Sequence, residues 1–479
     1  MLFSSAIFIF LFLPVFLILY FAFPSRFRNL IMMLASLLFY SWGEQQIVLI
    51  LLASTIADYA FARLIETGYR KTGLVLSLLT NLGFLAFFKY FNFGFENYKA
   101  LLQLLHLSTA GLEHVPNIAL PIGISFYTFQ TLSYTIDVYR GQVKASHHFI
   151  DYAAYVTMFP QLVAGPIVRY IDIEKQLRNK DISLQNFSLG FQRFIIGLAK
   201  KMLLANSFAE IADAVYALPI DDVSTLWAWM AAISYAFQIY FDFSAYSDMA
   251  IGLGRMTGFH FLENFNYPYI AKSVREFWQR WHMSLSYWFR DYLYISLGGN
   301  RISKSRTYLN LFIVFLATGL WHGASWNFVV WGLFHGLFII VEHAGFGKVL
   351  KKAPAYLSHT YTLLIWVVSM VFFRSPDLSS SVDFLGKMFS LQTGNAAIAA
   401  YYLNFYLDFE TYVLLIIAVL LSMPTYAFVE LKLEALTNNN STYSILLQGF
   451  KLTFIAYLFI SSVSYIAAGS YNPFIYFRF

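Results

Sequence analysis

The sequence predicts an all-α, polytopic membrane protein, on three observations. Of 479 residues, 59% are hydrophobic and only 12% are charged, whereas a soluble domain carries about 25% charged residues. A bilayer core takes about 20 consecutive apolar residues per helix, and stretches of that kind recur from one end of the chain to the other. No polar segment between them is long enough for a soluble domain, so residues 1–479 read as a single membrane domain.

The elements follow in order. Residues 4–23 have no basic residue before them and no small-residue cleavage site before Pro24, so they read as a retained helix rather than a signal peptide. Further spans centre on residues 30–43, 47–65, 74–92, 118–136, 151–168, 188–206, 226–252, 308–342, 357–373, 411–428 and 447–468. Together they make about eleven to thirteen transmembrane or re-entrant helices. The number is a range because Pro121, Gly123, Pro160, Gly165 and Pro166 interrupt several spans. Such breaks are tolerated where neighbouring protein satisfies the freed backbone groups.

Basic residues gather at Arg26 and Arg28, at Arg70 and Lys71, from Arg169 to Lys180, at Lys200 and Lys201, from Arg301 to Arg306 and from Lys348 to Lys352. By the positive-inside rule these connections face the cytoplasm and the N-terminus lies outside. That bias accounts for the net charge of +6. The clusters suit anionic membrane lipids, and no basic stretch interleaved with aromatics offers a surface to nucleic acid. The absence of cysteine excludes disulfides and thiolate catalysis. There is no G-x-S-x-G elbow, no H-E-x-x-H zinc helix and no Walker A loop, and no metal site is expected.

The candidates for chemistry are therefore polar groups inside apolar spans, where an ionisable side chain is costly. Residues 319–336, GLWHGASWNFVVWGLFHG, carry His322 and His335. Taken alone, His322 reads either as a reactive group or as a hydrogen-bonding strut between helices. The small residues Gly323, Ala324 and Ser325 leave room beside its imidazole for another chain or a ligand, and Trp321 and Trp326 supply flat apolar walls for a passage. On an unbroken helix at about 100° per residue, His335 would point about 140° away from His322. The two act together only if Gly323 breaks the helix, and His335 reads first as structural.

Residues 272–294, KSVREFWQRWHMSLSYWFRDYLY, are the second informative stretch. Laid on one helix, Arg275, Gln279, His282, Ser286 and Arg290 fall on a stripe within about 80° of each other, with Lys272 beside them. Trp278, Trp281, Leu285, Trp288 and Tyr292 form an apolar stripe about 120° round. Two readings stand: an interfacial amphipathic helix with snorkelling arginines, or the lining of a site for a phosphate-bearing substrate, which the planar fork of Arg suits.

Six motifs carry a family resemblance: residues 120–141 (LPIGISFYTFQTLSYTIDVYRG), 159–169 (FPQLVAGPIVR), 238–259 (QIYFDFSAYSDMAIGLGRMTGF), 277–294, 319–336 and the closing NPFIYFRF at 472–479. In this order they resemble the membrane-bound O-acyltransferase family. The branch is the bacterial one of alginate O-acetylation membrane subunits, related to the peptidoglycan and cellulose O-acetylation and teichoic acid D-alanylation subunits. The resemblance implies helices around a central tunnel, with the catalytic core motifs in residues 120–343. It implies acyl transfer to a hydroxyl, with His322 as the essential catalytic residue and His282 as the second.

Chemistry agrees with those roles, because drawing the proton from an attacking hydroxyl needs a base active near neutral pH, and an unperturbed imidazole titrates near pH 6.5. Asn327 and Ser286 are candidates to stabilise the oxyanion or orient the donor. Lys272, Arg275, Gln279 and Arg290 are candidates to bind the donor, and Trp281, Trp321 and Trp326 to line the tunnel. No bound cofactor is expected. The donor is acetyl-coenzyme A or an acyl carrier, used as a substrate on the cytoplasmic side of a bacterial inner membrane. Because no outer segment is long enough to grip a polymer, the acceptor is expected to be an exported, periplasmic protein that relays the acetyl group to a cell-surface polysaccharide. A proton-coupled secondary transporter is the alternative from another class, on the broken helices and on Asp137, Asp242 and Asp248. A non-catalytic scaffold for other envelope proteins is a third.

Overall fold

Every regular element in the computed structural model is helical, and no strand occurs among the described residues. Those residues are 1–391, 394, 395, 398, 402, 405, 406, 408–425, 428–430, 432, 433, 441–473 and 475. The chain runs through α1 (Leu13–Ala22), α2 (Arg28–Glu44), α3 (Val48–Glu66), α4 (Arg70–Leu85) and α5 (Phe91–Leu104), the last two joined by a π-helical stretch, Ala86–Tyr90. Then come α6 (Ile124–Arg140), α7 (Phe149–Thr157), α8 (Phe159–Leu162) and α9 (Tyr170–Arg178). A second π stretch, Lys200–Ala205, joins α10 (Leu184–Ala199) to α11 (Asn206–Tyr216), and α12 (Thr225–Met256) follows. The short α13 (Val274–Trp278) and α14 (Met283–Trp288) precede α15 (Lys304–His322), α16 (Trp326–Val341), α17 (Gly347–Lys352), α18 (Ala355–Arg374) and α19 (Leu378–Phe389). Finally α20 covers Phe409–Leu421 and α21 covers Ser441–Ala467.

The elements fall where the apolar spans lie, and the expected interruptions are present. Pro121 and Gly123 precede α6, and Gly165 and Pro166 sit in the non-helical stretch between α8 and α9. Among the described residues, five helical stretches are long and apolar enough to cross a bilayer: Ser25–Glu66, Arg70–Leu104, Trp326–Lys352, Ala355–Arg374 and Tyr443–Ala467. Phe8–Ala22 and Phe409–Leu421 are apolar but shorter, and α6 misses that measure because it faces protein rather than lipid. In α6, Ser125, Thr128, Gln130, Thr131, Ser133, Thr135 and Asp137 are all buried, a composition that hydrocarbon would penalise and a protein interior can satisfy.

Two expectations about the polar residues change in the fold. Lys200 and Lys201 do not form a cytoplasmic loop; they lie within the α10–α11 helix, 2.7 Å from Asp248 and 2.8 Å from Asp242 of α12. Asp248 also pairs with Arg193 at 2.9 Å, and Asp137 accepts the Tyr292 hydroxyl at 2.8 Å. The buried acids that suggested ion coupling are thus engaged by fixed partners. The closing motif is tied to the same place: Lys201 donates to the Pro473 carbonyl, and Asp242 accepts the Ile475 N–H at 3.1 Å. Residues 474 and 476–479 of that motif, and 437–440 of the polar connection before α21, lie outside the described residues.

Candidate active site

The site is built on a break. Helix α15 ends at His322, Gly323 and Ser325 have extended backbone, and α16 starts at Trp326 and turns back along α15. The backbones approach closely because glycines face one another: a Cβ on Gly332 would meet the Phe315 carbonyl oxygen at 2.4 Å and the Gly319 Cα at 2.8 Å. Small residues at such a crossing are the usual device for packing helices where lipid supplies no hydrophobic drive. At the break, a Cβ on Gly323 would lie 2.0 Å from the Phe328 ring, so this position has no room for a side chain. The condition for bringing His322 and His335 together is therefore met: both pack edge-on against the Trp331 ring, at 4.7 and 5.1 Å between centroids.

The imidazole of His322 is buried and oriented. Nδ1 lies 2.8 Å from the Thr318 carbonyl oxygen. A carbonyl only accepts, so Nδ1 carries the proton and Nε2 is the lone-pair nitrogen. No protein group among the described residues hydrogen-bonds Nε2. Trp321, Trp331 and Phe373 surround the ring at 4.9, 4.7 and 5.6 Å. His335, by contrast, is bound through Nε2 to the Ser369 hydroxyl at 3.0 Å.

The aromatic walls differ from expectation at one residue. Trp326 is 55% exposed, packs on Phe93 and donates its indole N–H to Asn97. It does not line the imidazole; Trp331 takes that place, because the turn at Gly323 rotates the start of α16 outward and brings its second turn in. Trp321 does line the ring, and Trp281 is buried against Phe265 and Trp366, next to His282 in the chain.

Residues 272–294 do not form the continuous helix on which the single polar stripe was laid. Helix α13 stops at Trp278, His282 takes a left-handed backbone with φ +44°, and α14 leads away. The start of the segment is held where the N–H groups of Val274 and Arg275 donate to Glu342, just after α16. Its far end is held near the C-terminus of α6, where Arg140 donates to the Asp291 carbonyl, and Arg169 pairs with the Asp291 carboxylate at 2.8 Å. Both ends lie at one end of the bundle and His282, fully buried, lies at the inner tip. The segment is re-entrant. A positive φ at a bulky residue costs free energy and persists only where the surroundings over-determine it. Here Asn264 does so: its Oδ1 contacts His282 Nδ1 at 3.1 Å and accepts the Ser284 hydroxyl at 2.9 Å. The His282 and His322 rings pack on the same Trp321 indole, at 5.9 and 4.9 Å, so two histidines 40 positions apart in sequence flank one aromatic plane.

The remaining candidates divide. Lys272, Arg275, Gln279 and Arg290 are exposed, and no hydrogen bond joins any of them to either imidazole among the described residues. The Arg290 guanidinium is held by Asp291 at 2.7 Å and lies over Tyr287, while Arg280 bonds Glu276 and the Asn266 carbonyl. Ser286 donates its hydroxyl to the Trp278 carbonyl at 3.0 Å. Asn327 is buried, donates its amide to the Ser375 carbonyl at 2.9 Å and leaves Oδ1 without a partner.

Beyond Phe373 and Phe328 lies a cavity of about 270 Å³, reached at the end of the bundle where α11, α15 and α18 finish. Its polar lining is Asp213, Tyr235, Gln238, Arg374 and Ser375, and Pro473 and Ile475 of the closing motif line it as well. Arg374 pairs with Asp213 at 2.5 Å and stacks over Tyr216, and the buried Gln238 leaves Oε1 unpaired. Sequence reading did not single out Trp331, Phe373, Asn264 or this polar group, because none belongs to a pattern of spacing. The lone Lys89 in the apolar run FFKYF is a signal that the sequence does carry.

An all-helical, multi-pass membrane protein with a buried histidine at a helix break is the class that fold and site define. Residues 76–374 match the model of the membrane-bound O-acyltransferase family. The chain is 44% identical over 398 residues to a protein of Pseudomonas aeruginosa named probable alginate O-acetylase AlgI, covering 82% of this chain and 76% of that one. A protein of the same name from Pseudomonas putida is 39% identical over the full length of both chains. The peptidoglycan O-acetyltransferase of Helicobacter pylori is 34% identical over all of this chain and 98% of its own. The chain belongs to the membrane-bound O-acyltransferase family and is an O-acyltransferase.

Proposed function

We propose that this protein takes an acetyl group from acetyl-coenzyme A on the cytoplasmic side of a bacterial inner membrane and passes it to a hydroxyl on the far side. The acetyl group ends on a cell-surface polysaccharide, alginate first and peptidoglycan next, and travels there on an exported partner protein. Full-length similarity to proteins named for alginate and peptidoglycan acetylation supports the polysaccharide class. The observation that carries the mechanism is the free Nε2 of His322, held by the Nδ1 bond to Thr318 at 2.8 Å and separated from the polar cavity by the rings of Phe373 and Phe328.

His322 acts as the general base. The acceptor hydroxyl loses its proton to Nε2 as its oxygen bonds to the thioester carbonyl carbon; the C–S bond then breaks, and the departing thiolate takes the proton from Nε2. Thr318 keeps the imidazole in the tautomer that has its lone pair inward, and stabilises the imidazolium formed between the two steps. His282, held by Asn264, is the second histidine beside the acyl group. Asn327 offers its unpaired Oδ1, an acceptor, which suits orienting a hydroxyl better than binding an oxyanion. Ser286 secures the turn through Trp278. Lys272, Arg275 and Gln279 meet the donor phosphates at the mouth of the re-entrant segment, with Arg290 beside them.

Orientation follows from charge. Lys304 and Arg306 open the helix that ends at His322, and Lys351 and Lys352 follow the helix pair that begins at Trp326, so the basic ends lie opposite the polar cavity. By the positive-inside rule the basic ends are cytoplasmic and the cavity faces outward, where the acceptor enters. The catalytic core occupies residues 120–343 of a single membrane domain. Incubating the purified protein with labelled acetyl-coenzyme A, the exported partner and the polysaccharide, each alone and together, tests the reading. The label is expected on the partner first. Acetylation of bare polysaccharide at full rate without a second protein overturns the relay, and release of label only as acetate overturns the transfer itself.

A further inference from the structure

Lys89 is an unusual side chain for the apolar interior. It lies in the π-helical stretch Ala86–Tyr90, is 6% exposed, and no carboxylate is within ion-pair distance of it among the described residues. Methionine or leucine would fill the same space without the cost of burying an ammonium group. Its Nζ donates to the Ser125 hydroxyl at 3.0 Å and to the backbone carbonyl of Trp321, the residue before His322, and it lies 5.9 Å from the centre of the Trp321 ring. The next residue, Tyr90, donates its hydroxyl to the Leu320 carbonyl at 2.7 Å. Ser125 closes the arrangement by accepting the Trp321 indole N–H on its carbonyl at 3.3 Å.

These bonds fall where a helix needs them. The last carbonyls of an α-helix have no partner within it, and the end carries a partial negative charge. At the end of α15 the carbonyl of Gly319 takes the Gly323 N–H at 3.3 Å, Leu320 takes Tyr90 and Trp321 takes Lys89. The cation and the phenol act as a C-cap supplied from another helix. π-turns inside α-helices recur at functional sites, and here the wider turn carries the side chains that reach α15. We propose that Lys89 and Tyr90 are positioning residues for acyl transfer: they end α15 at His322 and hold Trp321, and through it the imidazole, at the angle at which Nε2 meets the acceptor.

This inference rests on His322 being the base, so the test includes a variant of each. In the purified, membrane-reconstituted protein, Lys89→Met keeps the stem and removes the donor; Tyr90→Phe removes the hydroxyl alone. Lys89→Met is expected to lower kcat about 10²-fold, the scale of a misplaced catalytic group, with KM for acetyl-coenzyme A within about twofold of the parent. Lys89→Arg, which keeps a cation and donors, is expected to recover part of kcat. In a His322→Ala background, Lys89→Met is expected to change the residual rate little, because its effect runs through the imidazole. A normal kcat for folded Lys89→Met, with His322→Ala inactive, overturns the positioning role and leaves the base in place. Full activity of His322→Ala overturns both. Loss of activity only in proportion to loss of folded protein, with no recovery in Lys89→Arg, assigns Lys89 to stability and overturns the proposal.

Discussion

One bond decides what His322 can do. With Nδ1 committed to the Thr318 carbonyl, Nε2 is the nitrogen left for the proton exchange we propose, and replacing the ring removes that path. His322→Ala is expected to insert and fold normally but to lose transfer by about 10²- to 10⁴-fold, the usual contribution of a general base; single-turnover assays with labelled donor measure it. His282→Ala is expected to be severely impaired as well, through the acyl group and through the strained turn at its tip. His335 has both a fixed partner and a packed ring, so His335→Ala is expected to act on stability. Leaving the Ser369 hydroxyl and the Trp331 ring without it should cost about 1 to 3 kcal/mol. A complete loss of activity at an unchanged thermal midpoint would assign it to the chemistry instead.

Two elements hold these residues, and each fails in its own way. The α15–α16 hairpin depends on glycine contact, so Gly332→Ala drives a methyl group into the Phe315 carbonyl. It is expected to lower stability by about 1 to 3 kcal/mol and to lower kcat further by tilting His322, as read by thermal unfolding in detergent beside turnover. The re-entrant segment separates its arginines: among the described residues the Arg275 guanidinium makes no hydrogen bond or ion pair, while Arg290 is held by Asp291. Arg275→Ala is therefore expected to raise KM for the donor by about tenfold or more, the worth of a charge-assisted bond to phosphate, with the loss growing with salt. Arg290→Ala should do less, and Arg280→Ala, whose side chain bonds Glu276 and Asn266, should leave donor affinity unchanged. Equal loss from all three would point to a general electrostatic effect on the membrane surface.

Across the whole molecule the charges set direction. The absence of cysteine makes the topology directly measurable: single cysteines at Lys351 and at Asp221 lie at opposite ends of the bundle, both exposed. A membrane-impermeant maleimide added to intact cells is expected to label Asp221→Cys and to spare Lys351→Cys; the reverse pattern would turn the protein over and put the polar cavity in the cytoplasm. The closing segment depends on a buried pair, Lys201 with Asp242, which also binds the Pro473 carbonyl and the Ile475 N–H. Removing one partner strands a charge in the interior, so Lys201→Met is expected to destabilise by about 3 to 5 kcal/mol. Replacing both partners by apolar residues should cost less.

The class of the protein was legible in its composition, because burying or solvating apolar residues is a matter of counting them, and a run of about 20 specifies a span wherever it occurs. Helix positions were legible for the same reason, and the order of six motifs was enough for the family. Local pattern has no access to what two distant segments do when they meet. The break at Gly323 exchanged Trp326 for Trp331 beside the imidazole, since a turn reorients every side chain after it. The left-handed backbone at His282, sustained by Asn264, divided a stripe that a straight helix would have kept whole. Only the tertiary structure placed Lys89 against the Trp321 carbonyl, 232 positions away, because the end of a buried helix must find its hydrogen bonds in whatever the fold brings near it.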